Sequence, residues 1–216
     1  MKYVEDPTEQ STAITDIILA LAALGGILFF SLNMTASSEL LKIIIWSAAF
    51  GLIGLAAALG AAAHGLVMAR TVHDRIWQLL NLALALAVSL FVAGVAYDLW
   101  GLAVCVSVLP VMLAAGLVFF GVTRLYPGFF FVFLVYEGLA LIFALVAYIY
   151  LTVRGELAGA AFMAAGILIS ILAAGIQANK SISVTVVWQF DHNGIYHLVQ
   201  VVGLLLLAYG IRISMR

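Results

Sequence analysis

Three of the four histidines and two aspartates stand near points where apolar segments begin or end. His64 occurs in Ala-Ala-Ala-His-Gly, and His192 and His197 occur in Asp-His-Asn-Gly-Ile-Tyr-His, directly after Asp191. Asp16 opens another apolar segment. Neutral imidazoles in apolar surroundings, with carboxylates in reach, are typical zinc ligands. The same groups can instead form hydrogen bonds with one another and hold helices together. The residues alone are therefore compatible with either a metal site or a structural cluster.

The composition indicates the setting in which these groups work. Of 216 residues, 66% are hydrophobic and 9% charged, whereas roughly a quarter are charged in a soluble domain. The mean hydropathy is +1.24. These values exclude a soluble enzyme, a disordered chain and a disulfide scaffold built on the single Cys105. A formal charge of -1 without a basic stripe argues against nucleic acid as a partner.

Long apolar runs predict the fold. A helix that crosses a bilayer needs about 20 mainly apolar residues. The sequence therefore predicts an all-α, polytopic integral membrane protein, in which residues 1–216 form a single seven-helix transmembrane bundle. The seven predicted spans are 13–32, 41–69, 76–99, 102–123, 128–152, 157–177 and 193–213.

An odd number of spans determines which polar residues share a side of the bundle. We call the end that carries the N-terminus face A and the opposite end face B. Odd spans begin at face A and even spans end there, so the predicted site opens towards face A. The nine Lys and Arg residues are spread almost evenly over both faces and do not orient the chain. The face-A group is Asp16, His64, Asn81, Asp191 and His197, and Asp98, Glu39 and Glu156 lie near face B.

Helical spacing arranges the start of the seventh span. At about 1.5 Å per residue, His64 and His197 lie roughly 6–8 Å inside the ends of their spans. Asn193, His197 and Gln200 share one helical face because they are four and three residues apart. Asp191 or Asn193 can cap this helix, which would leave His192 on a turn.

The remaining polar residues have weaker signals. Glu137, near the middle of the fifth span, is either a proton relay or a hydrogen-bonded packing residue. Asn81 is expected to line the face-A site, and Asp98 to cap the turn at Gly101. The long connection over residues 178–192 predicts either a lid over the site or an interfacial loop anchored by Trp188.

The motifs resemble a known family. An acidic N-terminal segment leads into Asp16, His64 lies near the end of span 2, and His197 lies in a two-histidine segment that opens span 7. This arrangement resembles the CREST superfamily of seven-span membrane hydrolases, which includes alkaline ceramidases, Per1-type lipid-remodelling proteins, and progestin and adipoQ receptors. It also resembles a group of uncharacterised bacterial membrane proteins, which implies a bacterial inner membrane.

The resemblance implies a zinc-dependent hydrolase of a lipid amide or ester, with a membrane lipid as its partner. Zinc would be held by His64, His192 and His197, and Asp191 or Asp16 would take the proton of its bound water. Calcium would bind at the acidic N-terminal segment, whose members are Glu5, Asp6, Glu9 and Asp16. Two other hypotheses remain: a non-catalytic receptor or packing subunit, and a proton-coupled transporter that uses Glu137.

The sequence departs from the family at three points of the motif. The family's aspartate near span 3 has no clean counterpart, and Asp74 and Asn81 are both possible. The family has histidines four residues apart in span 7, but the residue four before His197 is Asn193, and the second histidine is displaced to His192. Gly60 stands where the family has a serine one turn before His64. We therefore expect only backbone and water in the space beside Gly60.

Overall fold

The structure is a computed structural model that describes residues 2–32, 40–126 and 130–215, without the side chains of Phe130, Phe131, Phe133 and Leu134. Glu39 and the predicted start of the fifth span at 128–129 lie outside the described residues.

The described residues form seven helices, each long and apolar enough to cross a membrane, with the fifth counted from Val135. The all-α seven-helix bundle predicted from the apolar runs is therefore confirmed, and the protein is an integral membrane protein. The helices are α1 (Pro7–Ser31), α2 (Leu40–Gly65), α3 (Arg70–Trp100), α4 (Leu102–Leu125), α5 (Phe130–Arg154), α6 (Ala160–Ala178) and α7 (His192–Ser214).

Local chemistry explains where several helices begin and end. The Asp6 side chain accepts a hydrogen bond from the Thr8 backbone N–H at 2.8 Å, which caps α1, and Pro7 occupies its first turn. Gly101 separates α3 from α4 with a φ of 82°, a conformation that residues with a Cβ rarely adopt. The chain can thus reverse direction at face B within one residue.

Small residues allow the helices of the bundle to approach closely. A Cβ atom on Gly166 of α6 would lie 2.6 Å from the backbone oxygen of Gly203 on α7, so the two helices meet backbone to backbone. Helix α1 packs between α2 and α7, and α3 packs on both α2 and α4. The centre of the bundle is filled by large buried side chains, among them Phe30, Trp46, Phe50 and Tyr148.

A short hairpin precedes α7. Strands β1 (Ser183–Thr185) and β2 (Gln189–Asp191) pair antiparallel within the predicted 178–192 connection. The hairpin lies against α1, where the Ser11 hydroxyl donates to the Gln189 carbonyl oxygen at 2.7 Å. The residues at its tip, Val187 and Trp188, are 83% and 62% exposed. This position beside α1 is compatible with both alternatives for the connection: a lid over the site, and an interfacial loop anchored by Trp188.

The N-terminal segment is fastened to the end of α2. Tyr3 and Leu66 form an antiparallel bridge, and the Val4 N–H donates to the Gly65 carbonyl oxygen at 3.1 Å. This attachment holds the first turn of α1 beside the last turn of α2, so that Glu9 reaches His64.

Candidate functional site

The predicted face-A residues Asp16, His64, Asp191 and His197 lie at the same end of the bundle in one polar cluster, buried at its centre, which we call the N-terminal polar layer. At its centre, His197 lies between Thr15 and Asp16. Its Nδ1 is 3.2 Å from the Thr15 hydroxyl and its Nε2 is 3.3 Å from Asp16 Oδ1. The layer consists of Glu9, Thr12, Thr15, Asp16, His64, Asp191 and His197.

Hydrogen-bond directions assign the protons at the centre of the layer. The Thr15 hydroxyl lies 2.9 Å from the Thr12 carbonyl oxygen and 3.2 Å from His197 Nδ1. When it donates to the carbonyl, it can only accept from Nδ1–H of His197. In a neutral imidazole, Nε2 then carries no proton. The contact between Nε2 and Asp16 therefore needs one proton, held either by the carboxyl or by the imidazole. We infer that Asp16 and His197 share it.

Gly60 makes room for Asp16. A Cβ atom at Gly60 would lie 2.7 Å from Asp16 Oδ2, so the carboxyl group occupies the space beside this glycine. The expectation that only backbone and water lie there is wrong, because α1 and α2 approach closely enough for the carboxyl to fill it. Within the described residues, Oδ2 is buried without a hydrogen-bond partner.

A second histidine–carboxylate pair lies nearer to water. His64 Nδ1 is 2.6 Å from Glu9 Oε2, and the two side chains are 15% and 44% exposed. The His64 ring also meets Trp77 edge to face, with ring centroids 5.5 Å apart. His64 lies close enough to His197 for their charges to interact. Sequence reasoning assigned Glu9 to a calcium site and missed this pairing.

Asp191 joins α7 to α1. Its Oδ1 accepts hydrogen bonds from the Gly194 N–H at 2.9 Å and from the Thr12 hydroxyl at 3.0 Å, so Asp191 is the cap of α7. Asn193 donates to the other carboxylate oxygen at 3.4 Å. The expectation that His192 lies on a turn is wrong, because the Asp191 cap makes His192 the first residue of α7. Its Nδ1 lies 3.6 Å from Asp191 Oδ2. Asp191 therefore caps α7 and joins its start to Thr12 of α1.

The secondary candidates lie around the layer. Gln200 donates to the Ser170 hydroxyl at 3.1 Å and ties α7 to α6. Glu137 lies on α5, which packs against α6, α3 and α4. Asn81 is partly buried on α3 and takes no part in the hydrogen bonds of the layer described above.

The predicted zinc ligands are not gathered around a common centre. Among the described residues, no group of three or more His, Cys, Asp or Glu side chains is placed to hold a metal ion. Each of the three histidines instead faces a carboxylate of its own. These residues, as arranged, do not fit a three-histidine zinc site, and zinc stays a prediction for metal analysis.

The acidic N-terminal residues are likewise divided among separate partners. Glu5 pairs with Lys2 at 3.4 Å, and Asp6 caps α1. Glu9 pairs with His64. Their carboxylates do not converge as calcium ligands must, and calcium also stays a prediction.

A buried ion pair near face B escaped the sequence analysis. Lys42 Nζ lies 2.6 Å from Asp98 Oδ1, with side chains 2% and 0% exposed. The Tyr148 hydroxyl donates to Asp98 Oδ2 at 2.8 Å. The prediction that Asp98 caps the turn at Gly101 is wrong, since the Gly101 N–H bonds to the Tyr97 carbonyl oxygen. The available signal was that a lysine and an aspartate lie at adjoining ends of neighbouring antiparallel helices.

Comparison with known proteins identifies a family. No curated protein and no solved structure matches this chain. One family model matches residues 11–216, which include α1 from its fifth residue onwards, the other six helices and the N-terminal polar layer except Glu9. The chain belongs to this family, described as a family of unknown function, DUF6962.

Proposed function

We propose that this protein is an integral membrane hydrolase that cleaves a lipid amide or ester by acid–base chemistry in the N-terminal polar layer. The observation that carries the proposal is a graded series of ionisable side chains leading from water into the bundle. Side-chain exposure falls from 44% at Glu9 to 15% at His64, 9% at His197 and 5% at Asp16. We call this series the proton relay.

The relay ends inside the face-A half of the bundle. On α1, Asp16 is followed by the buried apolar residues Leu19 and Ala23, and Phe30 lies further along the helix. A relay that stops partway suits a reaction that exchanges protons with water on one side. Transport would need a continuation to face B. Lipid amides and esters lie at this depth, near the boundary between headgroups and hydrocarbon.

Hydrolysis requires one proton acceptor and one proton donor. The oxygen of water bonds to the carbonyl carbon while the Asp16/His197 pair takes its proton. The bond to the amine or alcohol then breaks, and the pair returns the proton to that leaving group. His64 and Glu9 carry the proton released by the carboxylic acid product to water on face A. Thr15 holds the His197 ring in place throughout.

Activity measurements in liposomes test the proposal. The purified chain is reconstituted and assayed with a panel of fluorescent lipid amides and esters. Asp16→Asn lowers hydrolysis by about 100-fold or more, the usual contribution of an acid–base group. Glu9→Gln has a smaller effect, and Glu5→Gln, whose side chain is 86% exposed and paired with Lys2, has none.

Two results would contradict the hydrolase. One is a folded wild-type protein that cleaves neither substrate class, and the other is an Asp16→Asn variant with full activity. Loss of stability in Asp16→Asn without hydrolysis by the wild type would favour the packing subunit. Metal analysis of the same preparation decides the zinc prediction separately, because about one zinc per chain would require the histidines to rearrange.

Proton-coupled transport is a second candidate, favoured by the position of Glu137. This carboxyl group lies within the apolar part of α5 that begins at Val135, and ionisable groups inside membrane spans commonly mark proton pathways. A pH-sensitive dye inside liposomes would then report proton uptake that Glu137→Gln abolishes. Hydrolysis that Glu137→Gln leaves unchanged, without proton uptake by the wild type, would exclude this candidate.

A further inference from the structure

The face-B ends of α3 and α5 border a groove that lies apart from the N-terminal polar layer. Its volume is about 380 Å³, towards the lower end of the roughly 300–1,000 Å³ range of small-molecule sites. The lining consists of Leu99, Trp100, Phe143, Val146, Ala147, Tyr150 and Glu156.

The walls of the groove are apolar and face outwards. Trp100 and Phe143 stack with ring centroids 6.0 Å apart and an interplanar angle of 29°. Val146 and Tyr150 of α5 are 63% and 49% exposed. Exposed apolar side chains of membrane-spanning helices are in contact with hydrocarbon, so an acyl chain is the natural occupant of this space. Trp100 and Tyr150 suit the level of the membrane interface, where such rings anchor proteins.

Glu156 lines the groove, and Arg154 lies next to it as its ion-pair partner, so one negative and one positive charge stand at this rim. Arg154 Nε lies 3.1 Å from Glu156 Oε1, and the two side chains are 60% and 46% exposed. A guanidinium binds phosphate oxygens well, whereas a carboxylate accepts hydrogen bonds from an ammonium group. A headgroup with both charges therefore matches the rim. Glu156 repels an anionic headgroup, and a trimethylammonium group has no N–H to donate to it.

We propose that this groove binds one zwitterionic phospholipid whose headgroup carries a primary ammonium. The phosphate lies at Arg154, the ammonium at Glu156, and one acyl chain follows Trp100, Phe143 and Val146. The proposal does not depend on the hydrolase, because the groove and the proton relay lie at opposite faces.

Native mass spectrometry of the full chain tests acyl-chain binding. The purified protein is mixed with equal amounts of phosphatidylethanolamine, phosphatidylcholine and phosphatidylglycerol. We expect phosphatidylethanolamine to be the most strongly retained lipid. Val146→Trp fills the groove and removes this adduct. Leu139→Trp is the matched control, because Leu139 lies seven residues earlier on the same face of α5, is 65% exposed and does not line the groove.

Two rim variants test the headgroup. Glu156→Gln lowers phosphatidylethanolamine retention by about tenfold, the loss of one charge-assisted hydrogen bond, and leaves phosphatidylcholine unchanged. Arg154→Gln lowers both. Both residues are at the surface, so these variants keep the test valid if Val146→Trp fails to fold. Stronger retention of phosphatidylglycerol, equal losses in Val146→Trp and Leu139→Trp, or an unchanged preference in Glu156→Gln would overturn the proposal.

Discussion

Two polar clusters lie at opposite ends of this bundle, and they are built from different chemistry. Near face B, Lys42 and Asp98 bring a fixed cation and a fixed anion to 2.6 Å, and the Tyr148 hydroxyl adds a hydrogen bond. In the N-terminal polar layer, imidazoles face carboxylates, with 3.3 Å between His197 and Asp16. The first cluster is sealed, while the second reaches water through Glu9.

The difference separates a structural lock from a chemical site. A lysine and an aspartate in close contact stabilise each other's charges and have little tendency to exchange protons. A histidine and a carboxylate can pass one proton between them and accept another. Burial of ionisable groups in a membrane is therefore a weak sign of function unless the groups have a second protonation state within reach.

The largest expected effect comes from breaking the sealed pair. Lys42→Met leaves the Asp98 carboxylate buried without its cation and lowers the free energy of unfolding by about 3–5 kcal/mol. The double variant Lys42→Met/Asp98→Leu recovers much of this loss, because no buried charge remains. Unfolding by SDS in mixed micelles measures the free energy of unfolding of both variants. A double variant as unstable as the single one would show that the pair is not the cause.

A smaller loss is expected at the contact between α1 and α2. Gly60→Ala puts a methyl group 2.7 Å from Asp16 Oδ2, which costs about 1–3 kcal/mol as overpacking and displaces the acid–base pair. Gly51→Ala on the same helix is the control, since a Cβ atom at Gly51 would come no closer than 3.9 Å to a neighbouring side chain, that of Ile27. Melting temperature and hydrolysis should fall only in Gly60→Ala. Equal behaviour of the two variants would contradict the close contact.

The next smaller loss of stability is expected from removing the N-terminal cap of α7. Asp191→Ala removes hydrogen bonds to Gly194 and Thr12 and should cost about 0.5–2 kcal/mol. Asp191→Asn keeps a capping oxygen and should cost less. Hydrogen exchange of the first turn of α7 measures the difference. Unchanged exchange in Asp191→Ala would mean that packing on α1 alone holds this end of the helix.

The smallest effect concerns Asp6 at the start of α1. Hydrogen bonds from the Thr8 side chain and backbone lower the pKa of Asp6 from its usual 3.8. The cap therefore stabilises the helix fully above pH 3.8 and is lost as the pH falls through the lower folded-state pKa. Hydrogen exchange at the first turn of α1 should rise in this acidic range. Asp6→Asn, which does not titrate, should show no such rise.

The sequence by itself determined the number of helices and the side on which each polar residue lies. Apolar runs of spanning length have to become helices, because a bilayer offers no partners for exposed backbone groups. Counting spans then placed Asp16, His64 and His197 in the same half of the bundle, as the structure does. Asp191 was one of two candidate caps for α7, and local spacing was enough to propose it.

Only the tertiary structure decided which side chains face each other. The pairing of Glu9 with His64 depends on the bridge between Tyr3 and Leu66, and the pairing of Lys42 with Asp98 depends on how α2 and α3 are rotated. In a soluble helix, the apolar stripe reveals that rotation. Here the lipid-facing and core-facing sides of a helix are both apolar, so the hydrophobic pattern does not predict which side faces the core. Close packing of small residues determines the rotation of each helix instead.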